Sequence, residues 1–244
     1  MAQRKTAGAL DSSKDSPRSK RAEILTVATD YFGQQGYEDT KWADVAEAVG
    51  VGSTALYHYF ESKLHCLYVI MAEAIETFRT EFDEITADND FAPGVEKVLR
   101  EGFNLTEHEV QRNRVLVAEQ GLVGSRRSSP REEEARQIAR ARTHDLEIVW
   151  ANHLTRGMAV GEIPEADPQL LSRAVLGLCN SVWHWYRPGG ILTLDQVADF
   201  YVPRHLAMIG LESFSPGSNG KAGKGKAKAK AKARKPAKAK KSAR

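Results

Sequence analysis

Residues 40 to 63, TKWADVAEAVGVGSTALYHYFESK, constrain the fold more than any other stretch of the chain. They read as two short helices hinged at Gly50-Val51-Gly52. Val45, Ala46, Val49, Val51, Ala55, Leu56, Tyr59 and Phe60 would close a small core. Ser53, Thr54, Tyr57 and His58 then fall on the opposite face of the second helix, at i, i+1, i+4 and i+5. Outward hydroxyl and imidazole groups suit a helix in a DNA major groove, where base pairs differ in donor and acceptor pattern and in the thymine methyl. The stretch therefore predicts a DNA-reading headpiece.

The rest of the chain predicts more helix and no strand. Ile24, Leu25, Ala28, Tyr31 and Phe32 form one amphipathic face, with Gly36 as its left-handed cap. Thr40 is placed to cap the second helix, and Ser62 the one that begins at Lys63 and runs to about Thr86. Pro93 suits a helix start, and residues 94–109 and 112–123 read as two further helices. Ser129-Pro130-Arg131-Glu132 predicts a capping box opening a long helix to about Met158. Asp167-Pro168 opens another to about Tyr186, ended by Arg187-Pro188-Gly189-Gly190, and Thr193 with Gln196 caps a last helix to about Glu212. The apolar runs LYVIM and AVLGL sit inside segments free of turn residues, which favours helix. The expectation is an all-α, nine-helix fold. It comprises an arm at 1–18, a headpiece at 19–66, a helical effector-binding and dimerisation domain at 67–212, and a tail at 213–244.

Charge divides the chain sharply. Residues 213–244 hold ten lysines, two arginines and no acid, or +12, so residues 1–212 carry −9 of the formal net charge of +3. Residues 1–22 hold six basic and two acidic groups, whereas residues 23–66 hold Lys41 and Lys63 against seven acids, or −5. Arm and tail are polar or low-complexity and cannot bury a core. No apolar run reaches membrane-span length, and the first twenty residues lack the apolar stretch of a signal peptide, so a cytoplasmic, nucleoid-associated location is expected. Cys66 and Cys179 lie far apart in helical patterns and read as buried thiols rather than a disulfide. The seven histidines form no His-x3-His pair and the cysteines no C-x2-C, and no phosphate-binding loop is present, which argues against a metal site, a cofactor or an enzyme.

Ala28, Phe32, Gly36, Thr40, Val45-Ala46, Gly50-Val51, Leu56-Tyr57-His58-Tyr59-Phe60 and Ser62-Lys63 together resemble the headpiece of the TetR family of one-component transcriptional regulators. Val49, Gly52 and Thr54 depart from the residues common there, around the turn and the start of the reading helix. The resemblance implies that Thr40, Lys41, Trp42, Ser53, Thr54, Tyr57 and His58 face DNA and that Lys63 reaches a phosphate. Trp42 and Tyr57 keep a second reading as headpiece core, and His58 as a solvated group. Residues 180–201, NSVWHWYRPGGILTLDQVADFY, are similar to an actinobacterial TetR subgroup that often controls lipid, fatty-acid or sterol catabolism and responds to CoA thioesters. In that family the last two helices form a four-helix dimer interface, which also suits two half-sites of a palindrome.

Leu176, Asn180 and His184 are spaced by four on one predicted helix. They read either as an interhelical hydrogen-bonding set in the core or as one wall of an effector pocket, with Phe103, Trp150 and His153 as further walls. A hydrophobic or acyl-CoA effector bound there would shift the population away from the DNA-binding form. The expected function is a ligand-responsive repressor that binds palindromic operator DNA as a homodimer. The alternating Lys and Ala of residues 226–233 would add nonspecific phosphate affinity. They also support a rival reading, an architectural, nucleoid-associated DNA-binding protein.

Overall fold

The computed structural model describes residues 16–211. Most of the predicted arm, the whole predicted tail and the expected helix end at Glu212 lie outside them. The described residues form nine α-helices: α1 (Pro17–Gln35), α2 (Trp42–Val49), α3 (Ser53–Tyr59), α4 (Lys63–Ala87), α5 (Phe91–Glu101), α6 (Glu107–Ala118), α7 (Pro130–Ala159), α8 (Pro168–Trp185) and α9 (Leu194–Met208). A 3-10 turn at Gln120–Gly124 follows α6.

The expected hinge is present. Gly50 ends α2 in the left-handed region at φ 71°, ψ 33°, and the Val51 N–H donates back to the Ala46 carbonyl at 2.9 Å. A side chain at Gly50 would strain that turn. Ser62 caps α4 by accepting from the His65 N–H at 2.9 Å, and Thr193 and Gln196 form the expected reciprocal box at α9.

Four local readings are corrected. Thr40 does not cap α2; the N-cap is Lys41, and the Thr40 hydroxyl donates to the Gly36 carbonyl at 2.7 Å. Gly36 has φ 92° but ψ 153°, outside the left-handed helical basin. The predicted helix over 94–109 is instead α5, a loop, and then α6. Thr106 opens α6 with a complete capping box to Glu109, so a T-x-x-E start signal lies inside the stretch that periodicity alone predicts as continuous helix. The box expected at Ser129 does not form, because its hydroxyl donates to Glu61 and the Glu132 carboxylate accepts from Ser62. Tertiary partners displace the local cap, and they fasten the α3–α4 corner to the start of α7.

Two apolar cores organise the bundle. The first joins Ile24, Ala28 and Phe32 of α1, Val45 and Val49 of α2, and Leu56 and Phe60 to Cys66, Leu67 and Ile70 of α4, with Val115 of α6 and Ala139 of α7 packed on it. The second joins Phe82, Val95, Val98, Trp150, Leu154, Val182, Trp183, Val202 and Leu206. Full burial of each large side chain stabilises by about 1.5–3 kcal/mol. Helix α4, about 38 Å long at 1.5 Å per residue, serves both cores, and α6 contributes to both as well.

Candidate DNA-reading face and effector cavity

The reading helix α3 is held by Leu56 and Phe60, both fully buried and one turn apart. Phe60 meets Trp42 edge-on at 6.5 Å and His65 at 5.7 Å, and the Arg21 guanidinium lies 5.0 Å from its ring. Fixing this side sends Ser53, Thr54, Tyr57 and His58 outward; all four are exposed, Tyr57 by 51%. Lys41 is exposed beside them.

The remaining predicted contacts point elsewhere. Thr40 is 2% exposed and Trp42 9%, and the indole N–H of Trp42 is buried with no partner among the described residues. The Lys63 ammonium donates to the carbonyls of Tyr37 (2.6 Å), Glu38 (3.1 Å) and Thr40 (2.9 Å) and sits 4.4 Å over the Tyr37 ring. All three of its donors are spent on the turn between α1 and α2. Thr40, Trp42 and Lys63 therefore shape that turn from within, while Lys41 and the α3 residues are presented outward.

Below the headpiece lies a cavity of about 900 Å³, walled by α4 (Ile75, Phe78), the α5–α6 loop (Phe103), α6 (Arg112, Leu116), α7 (Trp150) and α8 (Leu176, Asn180). Four of the six predicted pocket residues, Phe103, Trp150, Leu176 and Asn180, meet here. His153 and His184 do not. His184 is exposed at the end of α8, because residues four apart drift by about 40° around a helix and the second step carries it off the cavity face. His153 is wedged between Phe82 (5.4 Å) and Phe91 (5.0 Å) with its Nε2 buried and unpartnered. Burial, and secondarily Arg156, push its pKa down to about 4.

The cavity also contains residues the sequence reading did not single out. Arg112 places a buried, unpartnered Nε beside it. Burial, then the Glu109 carboxylate, raises the Glu81 carboxyl above its ordinary value. Both lie on or opposite α6, whose misplaced start concealed its cavity face; the capping box at Thr106 was the signal that could have fixed it.

Helix α6 touches headpiece and cavity together. His108 Nδ1 lies 2.7 Å from Asp30 Oδ1 of α1, and a Cβ at Gly33 of α1 would stand 2.7 Å from Gln111 Cβ. The neighbouring Arg112, Asn113 and Leu116 line the cavity.

A helix-turn-helix with an outward reading face, joined through shared helices to a ligand-sized cavity, defines a one-component regulator. Residues 24–67 match the model of the bacterial regulatory proteins of the tetR family, and residues 111–209 that of the tetracyclin repressor-like C-terminal domain. Together the matches span more than half of the 244 residues, and the chain belongs to the TetR family of transcriptional regulators. Among its relatives is the HTH-type transcriptional repressor KstR2 of Mycolicibacterium smegmatis, 26% identical over 190 residues, covering 76% of this chain and 88% of that one. KstR2 of Mycobacterium tuberculosis is 27% identical over 188 residues, covering 75% and 90%. The fold is similar to the solved structure of the TetR-family regulator PfmR from Thermus thermophilus, with TM-score 0.62 and 29% identity over 78% of this chain and 98% of that one. It is also similar to AibR in complex with isovaleryl coenzyme A and operator DNA, with TM-score 0.64 and 21% identity over 76% and 97%. These relatives are regulators of transcription, not enzymes. Among the described residues no helix is long and apolar enough to cross a membrane.

Proposed function

We propose that this protein is a ligand-responsive transcriptional repressor that binds palindromic operator DNA as a homodimer in the cytoplasm and is released by a hydrophobic or acyl-CoA effector. One observation carries the reading: α6 packs Gln111 against α1 of the headpiece and presents Arg112 and Leu116 to the cavity. A ligand that binds better when α6 is displaced lowers the population of the DNA-competent form by its differential affinity. Ser53, Thr54, Tyr57 and His58 read bases, Lys41 meets the backbone, and Phe103, Trp150, Leu176 and Asn180 contact the effector. The headpiece occupies residues 19–66 and the effector and dimerisation domain 67–212.

Two comparisons support the reading, the first its repression and the second its effector class. Repressors of the KstR2 type are relatives over three quarters of the chain, and AibR, of similar fold, was captured with an acyl-CoA. Apolar side chains such as Phe78, Leu116, Trp150 and Leu176 line the cavity beside Arg112, whose Nε is unpartnered, while the Arg173 guanidinium on the same wall pairs with Glu147 at 3.2 Å. Dimerisation is supported by Leu170, Trp185, Phe200 and Met208 of α8 and α9, large apolar side chains 38–64% exposed. The basic tail, +12 over residues 213–244, adds sequence-independent phosphate affinity. That same charge is what favours the second reading, an architectural DNA-binding protein.

Genome-wide mapping of bound DNA followed by titration with a series of acyl-CoAs tests the proposal. Binding at discrete palindromes, lost on adding one acyl-CoA that also raises the melting temperature, is the expected result. Uniform coverage without site preference selects the architectural reading, and site-specific binding that no acyl-CoA relieves removes the thioester.

A further inference from the structure

Cys179 lines the cavity on α8, next to Asn180 and one turn beyond Val175. Its Sγ lies 3.2 Å from Nε2 of His205 on α9, a residue with no exposed surface. The other ring nitrogen, Nδ1, lies 2.8 Å from the Tyr201 carbonyl oxygen. A carbonyl can only accept, so the tautomer with the proton on Nδ1 satisfies Tyr201 and leaves the lone pair of Nε2 toward the thiol, with the Val175 carbonyl also close to the ring. Nucleophile, base and a third group that orients the base are thus in hydrogen-bond sequence, with the nucleophile on a ligand-sized cavity.

We propose that Cys179 and His205 form a thiol–imidazole pair that captures α,β-unsaturated carbonyl compounds entering the cavity. The thiol proton passes to His205 Nε2 as sulfur bonds to the β-carbon, and the π electrons of the C=C bond move into an enolate. The imidazolium then returns the proton to the α-carbon. The sum is addition of S–H across the double bond, with no oxidant, reductant or leaving group. Asn180, on the same wall, offers an amide donor to the carbonyl oxygen where the enolate charge develops.

The protonation states agree with this order of events. Burial pushes the Cys179 thiol up to about 12. Burial likewise lowers His205 below its ordinary value, against the opposing Tyr201 and Val175 carbonyls. The resting pair is neutral, and the proton moves only as the S–C bond forms. The charged groups sharing the cavity are Glu81 and Glu84 of α4, Lys97 and Glu101 of α5, Glu109 and Arg112 of α6, Glu147 of α7 and Arg173 of α8. Cys66, fully buried in the headpiece core, is an internal control.

The experiment treats the full chain with 2-cyclohexen-1-one and follows adducts by intact mass and peptide mapping between pH 7 and 9. One adduct per chain on Cys179 is expected, absent in Cys179→Ser and slowed at least about tenfold in His205→Gln. An unassisted thiol with a pKa this high would react about tenfold faster per pH unit, whereas base assistance by a neutral imidazole leaves the rate nearly flat. That wild-type profile decides the matter if His205→Gln does not fold. No adduct on Cys179, equal labelling of Cys66 and Cys179, or a rate climbing tenfold per pH unit overturns the proposal.

Discussion

The Lys63 ammonium lies 2.6 Å from the carbonyl oxygen of Tyr37 and stacks 4.4 Å over the same residue's ring. With Glu38 and Thr40 also accepting from it, this lysine holds closed the turn that aims α2, rather than extending toward a phosphate. Burial of the phenol, with nearby carboxylates led by Glu38, raises the Tyr37 hydroxyl, so Tyr37 stays neutral beneath the cation.

Lys63→Met should therefore act on stability first. Three charge-assisted hydrogen bonds lost to carbonyls predict a loss of about 1–3 kcal/mol, visible as a lower melting temperature. A phosphate contact would instead show as a salt slope for operator binding reduced by about one. An unchanged melting temperature with a reduced slope would return Lys63 to the DNA interface.

Tyr57→Ala tests the reading face. Its side chain is half-exposed and anchors no core, so the melting temperature should stay within about 2 °C of the parent. Operator affinity should fall about tenfold or more, the scale of one direct base contact at about 1–3 kcal/mol. Equal affinity in fluorescence anisotropy would remove Tyr57 from the DNA-reading set.

How far these sites were legible from sequence depends on the range of the interactions that set them. Ser53, Thr54, Tyr57 and His58 were readable because one short helix with Leu56 and Phe60 at helical spacing fixes its own outward face. The burial of Thr40 and Trp42 and the carbonyl partners of Lys63 were not legible, because those partners lie across a turn or on another helix, as with Lys63 and Tyr37, 26 residues apart. The cavity shows the same limit. Leu176 and Asn180 follow from periodicity along α8, but periodicity drifts, and it placed His184 on a face it does not share. Cys179 and His205, also 26 residues apart, become a pair only when α8 and α9 pack. Two local signals were overlooked: Ser16-Pro17, which caps and opens α1 inside the predicted arm, and Thr106 with Glu109, which cost the register of α6 and with it Arg112.

Gly33→Ala probes the joint between α1 and α6. The added methyl would stand 2.7 Å from Gln111 Cβ, closer than carbon atoms approach, and neither atom is the far end of a flexible chain. Overpacking of this kind costs about 1–3 kcal/mol and shifts one helix against the other. The expected result is a folded dimer with weakened operator binding and an altered effector concentration for release. Unchanged DNA binding and effector response would show that this joint carries no coupling.

Acid should destabilise the protein through His153. Its folded pKa, about 4, lies below the ordinary 6.5, so between those values the unfolded chain binds more protons and stability falls as pH falls. Complete below pH 4, the loss reaches about 3 kcal/mol by the same linkage. His65 and His205, both lowered by burial first, add in the same direction. His153→Leu keeps the site apolar and removes the unpartnered Nε2, so its urea-unfolding free energy should depend less steeply on pH from 6.5 to 4. A variant with the parent's slope would assign the acid sensitivity elsewhere.

Deleting residues 215–244 separates sequence reading from charge. Residues 23–66 carry −5, so the headpiece brings little long-range attraction to DNA, while the residues removed carry ten lysines and two arginines. Each phosphate contact contributes about 0.9 to the logarithmic salt slope, so a tail engaging even a few phosphates should lower that slope by several units when removed. Operator preference over random DNA should survive, since phosphate contacts fix position without reading bases. A truncated protein that binds no DNA even at about 50 mM salt, where phosphate contacts are strong, would show instead that the tail is the principal binding element and the headpiece secondary.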